Sequence, residues 1–330
     1  MITRHHYILL ALLLVLTVVS FLVSFSSGSI DLGFGTVLQQ LLNPEAGLQQ
    51  QVLFELRIPR SIAAFITGGL LALSGVIMQV LLRNPLADPY ILGISGGAAV
   101  AALATILLGL SGAWISNAAF GGAMLSIFIV FGLARSRNQW SVTRLLLTGV
   151  VVSAGWGAMI NILLTTSSNN SVYSMLFWLM GDLSQSRSGP FSALVLSAGF
   201  ALMMLQARAL NVLARGDLQA AALGVNVARL KLLLYFTASV LTACAVTIAG
   251  SIGFVGLVIP HMLRLLGARD HRVLIPAAVL LGGSFLMIAD SFARSVVAPL
   301  QLPVGVVTAI IGVPTFLLIL RRSQRRDTEQ

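Results

Sequence analysis

Ten blocks of apolar residues alternate with short polar or proline-bearing segments along this chain. They lie near 7–25, 61–82, 90–110, 113–133, 145–166, 190–207, 232–250, 252–266, 273–292 and 303–320. A bilayer core of ~30 Å takes roughly twenty apolar residues in a helix. The pattern therefore predicts ten membrane spans in an all-α polytopic membrane protein, forming one domain over residues 1–330. The eighth block is the shortest and is interrupted by Gly253, Gly256 and Pro260. The first block also admits a reading as a secretory signal, with Arg4 before it and Ser26-Ser27-Gly28 after it. It exceeds the ~7–15 residues of a signal core, and no A-x-A site follows, so a first span is expected.

The longest polar interruption in the second half runs from Arg208 to Lys231. Leu210, Leu213, Ala214, Leu218, Ala221 and Ala222 recur at helical spacing, and Gly216 and Gly224 divide the stretch. It is expected to form two short helices, too short to be stable alone. They either dock a partner outside the membrane or lie in the lipid headgroups.

Charge fixes the expected orientation. The chain is 57% hydrophobic and only 9% charged, where soluble domains carry about 25% charged residues. With the N-terminus in the cytoplasm, Arg57, Arg60, Arg187 and Arg294 alone fall outside, and the other Lys and Arg residues fall inside. The net charge of +10 thus marks membrane orientation rather than a nucleic-acid surface. Both termini and the 208–231 stretch are expected in the cytoplasm. The one cysteine, Cys244, and four scattered histidines offer neither an internal disulfide nor a metal site. No G-x-x-x-x-G-K-[ST] loop, Ser–His–Asp set or H-E-x-x-H motif is present, so no catalytic residues are assigned. If energy is spent, another subunit spends it.

Small and polar residues mark candidate working surfaces. Gly149, Ser153, Gly157 and Asn161 recur at four-residue intervals, and Thr165 and Thr166 continue the stripe. It serves either close helix packing or a translocation path. Asp290 and Arg294 are spaced to pair on one helix, whereas a proton-coupled pump would carry ionisable groups deep in its spans. Two stretches break the helical pattern, RNPLADP at 83–89 and SIGFVGLVIPH at 251–261. Broken segments often line or gate a transporter's path.

An ordered set of motifs carries a resemblance. It comprises LRIPR at 56–60, Ser74-Gly75 with Gln79, RNPLADP with ILGIS at 91–95, and GDLQAAALGV at 216–225. GFVGLVIPH at 253–261, Asp270-His271-Arg272, Ala289-Asp290 with Ala293-Arg294, and LPVGVVTAIIGVP at 302–314 complete it. Together these resemble the FecCD-type permeases, membrane subunits of ABC importers for iron–siderophore chelates, heme and cobalamin. The resemblance implies a ten-helix type II importer permease fold in the bacterial inner membrane. Its implied partners are a second permease subunit, most simply an identical copy, two cytoplasmic ATPases that bind ATP and Mg, and a periplasmic binding protein. No cofactor is implied in this chain.

The cobalamin-importing members imply roles for individual residues. Arg57, Arg60 and Arg294 would dock the binding protein. Residues 214–227, with Arg215, Gly216, Asp217, Ala221, Leu223, Gly224 and Val225, would form paired coupling helices in the ATPase groove. Asn84, Leu86, Val142 and Thr143 would form cytoplasmic gate turns, although Val142 is apolar where those members carry a hydroxyl. The competing functions are a secondary transporter, which predicts intramembrane ionisable groups, and an intramembrane enzyme, which needs a catalytic constellation.

Overall fold

A computed structural model describes residues 4–28, 32–110, 112–134, 142–184 and 189–327, without side chains at 142 and beyond 318. Among these residues every regular element is helical, with no strand. The helices are α1 (Arg4–Ser26), α2 (Phe34–Leu42), α3 (Leu48–Gln51), α4 (Ile58–Leu81), α5 (Ile94–Leu107), α6 (Ala113–Ala134) and α7 (Val142–Thr166). They continue with α8 (Asn169–Met180), α9 (Pro190–Leu213), α10 (Asp217–Ala222), α11 (Val227–Ala249), α12 (Val255–Leu265), α13 (His271–Ser295) and α14 (Val304–Asp327). A π-helical turn, Val52–Arg57, joins α3 to α4.

Seven helical segments are long and apolar enough to cross a membrane, and three shorter apolar ones accompany them: Ile94–Leu107, Val255–Leu265 and Val304–Leu318. Each of the ten expected blocks thus holds one apolar helix. The eighth is shorter than the pattern suggested, because Ile252 to Phe254 are not helical. Gly250 and Phe254 both adopt positive φ there, 66° and 70°.

The body is built around α4, which is buried without a break from Ile66 to its end at Leu81. Small residues make this possible. A Cβ on Gly68 would overlap the Gly282 carbonyl of α13, and one on Gly75 would overlap the Gly256 carbonyl of α12. Backbone therefore lies against backbone on two sides of α4. Hydroxyls add polar contacts between spans: Ser74 Oγ donates to the Ala238 carbonyl at 2.9 Å, and the Thr17 and Ser284 hydroxyls lie 2.9 Å apart. By contrast α7 sits at the periphery, with only 11% of its most apolar window buried.

The 208–231 stretch departs from expectation. Arg208 to Leu213 continue α9, because the apolar repeat of α9 runs through Leu210 and Leu213, both fully buried. One short helix, α10, follows instead of two. Its ends are set by Gly216 and Gly224, at φ 142° and 81°, a region other residues enter at a cost.

Candidate functional site

Three polar assemblies stand out. At the end of the bundle where α1 finishes and α4 begins, Asp290 of α13 is fully buried and forms ion pairs with two arginines. Arg60 Nη2 lies 2.8 Å from Oδ1, its Nε donates to the same carboxylate, and Arg294 Nε lies 3.1 Å from Oδ2. Arg294 also reaches the Ser24 hydroxyl at 3.0 Å. Arg57 donates to the Phe25 and Ser26 carbonyls, each at 2.6 Å. The cluster therefore ties α1, α4 and α13 together. All three arginines that the resemblance assigns to docking are buried here, exposed by no more than 9%, with their guanidiniums engaged inside the chain. The i,i+4 pairing of Asp290 with Arg294 is present as the spacing predicts. Arg60, 230 positions away from Asp290, had no local signal.

At the opposite end, Leu218 of α10 and Leu223 just after it face solvent, 88% and 71% exposed, with Arg215 and Ala221 also exposed. Val225 is half-buried. Asp217 opens α10 and pairs with both Arg83 and Lys231, the latter at 2.6 Å. Asn84, which the resemblance assigns to a gate, shapes the next turn: its Oδ1 accepts from the Leu86 amide at 2.9 Å. Leu86 is half-buried and Thr143 exposed; the side chain of Val142 lies outside the described residues. Nearby, Asp270 caps α13. Burial opposes its charge, but hydrogen bonds from Asn211 and Arg272, with the Arg272 charge, hold the carboxyl below the usual range.

The third assembly joins the two broken stretches. The short helices α5 and α12 begin beside one another inside the body. The Tyr90 hydroxyl donates to the Ile252 carbonyl at 3.1 Å and accepts from the Ile252 amide at 3.2 Å. Ser95 donates to Ser251 at 3.0 Å. Tyr90 is held in turn by Asp88, whose Oδ1 accepts from its amide at 2.8 Å. Burial pushes the Asp88 carboxyl up to about 6 against that hydrogen bond. A break in a helix inside a membrane protein must find replacement partners for its backbone groups, and one tyrosine serves both groups of Ile252. Tyr90→Phe is expected to leave them unsatisfied, at roughly 1–3 kcal/mol each. Amide hydrogen exchange over 250–254 should accelerate, and unchanged exchange would show that the break is held otherwise.

The α7 stripe divides in two. Gly149 packs against the Ile91 carbonyl, and a Cβ on Gly93 would lie 3.1 Å from the Ser153 hydroxyl. Farther along, Gly157 has nothing within 4 Å of a Cβ position, and Asn161 is exposed. Among the described residues no group of three or more His, Cys, Asp or Glu could hold a metal ion.

A body of ten apolar helices with paired half-length helices and a short exposed helix at one end defines a membrane permease of the type II ABC importer fold. The chain belongs to the FecCD transport family, whose profile matches residues 16–322. It is 42% identical over 280 residues to the cobalamin import system permease protein BtuC of Halobacterium salinarum, covering 84% of this chain and 75% of that protein. It is 39% identical to the hemin transport system permease protein HmuU of Yersinia pestis, covering 97% of each. The solved structure of an inward-facing metal-chelate type ABC transporter superposes with a TM-score of 0.83 at 31% identity, over 96% of this chain and 99% of that one.

Proposed function

We propose that this chain is the translocation subunit of an ATP-driven importer for an iron chelate, heme or cobalamin, and that it performs no covalent chemistry. It works in the bacterial inner membrane with both termini in the cytoplasm. A second copy completes the path, two separate ATPase subunits bind ATP and Mg, and a periplasmic binding protein delivers cargo. The observation that carries this reading is α10, a short helix set between two glycine turns that holds Leu218 and Leu223 open to solvent. An apolar pair displayed on so small an element suits the groove of a partner protein. The related cobalamin and hemin permeases support the cargo class.

The open half of the α7 stripe, Gly157 and Asn161, then faces the path between the two copies, while Gly149 and Ser153 pack it against the 83–93 loop. At the other end, docking on Arg57, Arg60 and Arg294 proceeds by exchange. Carboxylates of the binding protein must compete with Asp290 and with the Phe25 and Ser26 carbonyls for guanidiniums already engaged.

Gly224→Trp tests the reading. The variant is expected to insert and to bind the external protein, because the packed body lies elsewhere. Assembly of the co-expressed ATPase and ATP-driven uptake of cyanocobalamin and hemin, assayed in parallel, should collapse. If α10 lay in the headgroups, tryptophan would be tolerated, and normal ATPase assembly and uptake would sink the proposal. A secondary transporter would show uptake of either probe without the ATPase.

A further inference from the structure

We infer that Asp217 is the joint through which α10 positions the turn holding Asn84 and Leu86, an inference that rests on α10 being the coupling element and on residues 84–86 forming a gate. The two motifs involved lie 134 positions apart, and Asp217 is the one described side chain of α10 with an ion pair to either neighbour. Its two oxygens face different elements. Oδ2 takes Lys231 of α11, which is 7% exposed and so anchors Asp217 to the packed body. Oδ1 takes Arg83, which follows the C-cap Leu82 of α4 and starts the broken stretch.

The Arg83 backbone supplies a second, independent observation. It sits at φ 49°, in the left-handed region that side-chain-bearing residues rarely enter. The Arg83 amide donates to the Val80 carbonyl, and the Asn84 amide donates to the Gln79 carbonyl. The turn therefore closes tightly on the end of α4, and the guanidinium leaves it toward α10. A glycine would relieve the backbone at this position, yet an arginine stands there and its charge is spent on Asp217. An ion pair exposed at 42% on both side chains contributes little to stability. It does link α10 directly to the turn that follows α4. When the partner displaces α10, Asp217 carries Arg83 with it and re-aims the turn in which Asn84 caps Leu86.

The test separates position from stability. Leu86→Cys is placed in a Cys244→Ser background, and the complex with its co-expressed ATPase is reconstituted in nanodiscs. The rate of labelling by a water-soluble maleimide is measured with and without ATP plus vanadate. The parent is expected to change rate several-fold with nucleotide. Arg83→Gly, which keeps the backbone conformation and removes the charge, should abolish that change, and Arg83→Lys should restore most of it. The Asp217–Lys231 pair is intact in both variants, so ATPase assembly should be unaffected. A benzophenone on Leu218→Cys reports that assembly by cross-linking to the ATPase. A cross-linked ATPase together with an Arg83→Gly variant that still responds to nucleotide overturns the joint alone. Absence of the cross-link in the parent overturns the coupling role of α10 and the joint with it.

Discussion

Asp290→Ala is expected to lower the unfolding temperature of the purified protein more than the loss of any other single carboxylate. The side chain is completely buried and holds Arg60 and Arg294 at once. Its removal leaves two guanidiniums in a dry site with no anion. Breaking a buried pair from one side costs about 3–5 kcal/mol, because the remaining charge keeps its desolvation penalty. Asp290→Asn should fall between parent and alanine, since the amide oxygen still accepts a hydrogen bond without balancing charge. Thermal unfolding in detergent, followed by tryptophan fluorescence, reads the order directly. Equal stability of all three proteins would mean that the arginines find other partners, and that the cluster does not hold α1, α4 and α13 together.

Gly75→Ala is expected to be nearly as damaging despite adding a single methyl group. The new Cβ would overlap the Gly256 carbonyl, a backbone atom that cannot rotate away. Overpacking a core ordinarily costs about 1–3 kcal/mol, where side chains can adjust. Here α4 and α12 must separate, which disturbs the start of α12 and the junction with Tyr90. The control is Gly157→Ala on α7, where a Cβ meets nothing within 4 Å and little change is expected. The yield of monodisperse protein and its unfolding temperature would be compared for the two. Parity between them would show that the α4–α12 approach is looser than the backbone contact implies.

Much of this fold was legible because a membrane protein writes its spans as uninterrupted apolar runs. Bilayer thickness alone converts such runs into helices, so all ten helices stand where their blocks predicted. The breaks were legible too, since proline and glycine in RNPLADP and SIGFVG act locally on the backbone. Gly216 and Gly224 bound α10 for the same reason. The helical end of α9 was misread as a separate short helix: its polar residues Arg208 and Asn211 disguised an apolar repeat that simply continues.

What tertiary structure alone decided is which residues meet. The pairing of Asp290 with Arg294 followed from four-residue spacing, but Arg60 reached the same carboxylate only because α4 and α13 cross at paired glycines. That crossing also turned Arg60 and Arg294 inward, while Arg57 was claimed by the Phe25 and Ser26 carbonyls at the end of α1. In the same way, no local pattern announces that the Tyr90 hydroxyl satisfies Ile252, or that Asp217 spans from Lys231 to Arg83. Hydropathy along the chain specifies that a helix crosses the membrane, because solvent transfer depends on the residue itself. The partners of a buried polar group depend on which helix faces it, and only the packed bundle supplies that neighbour.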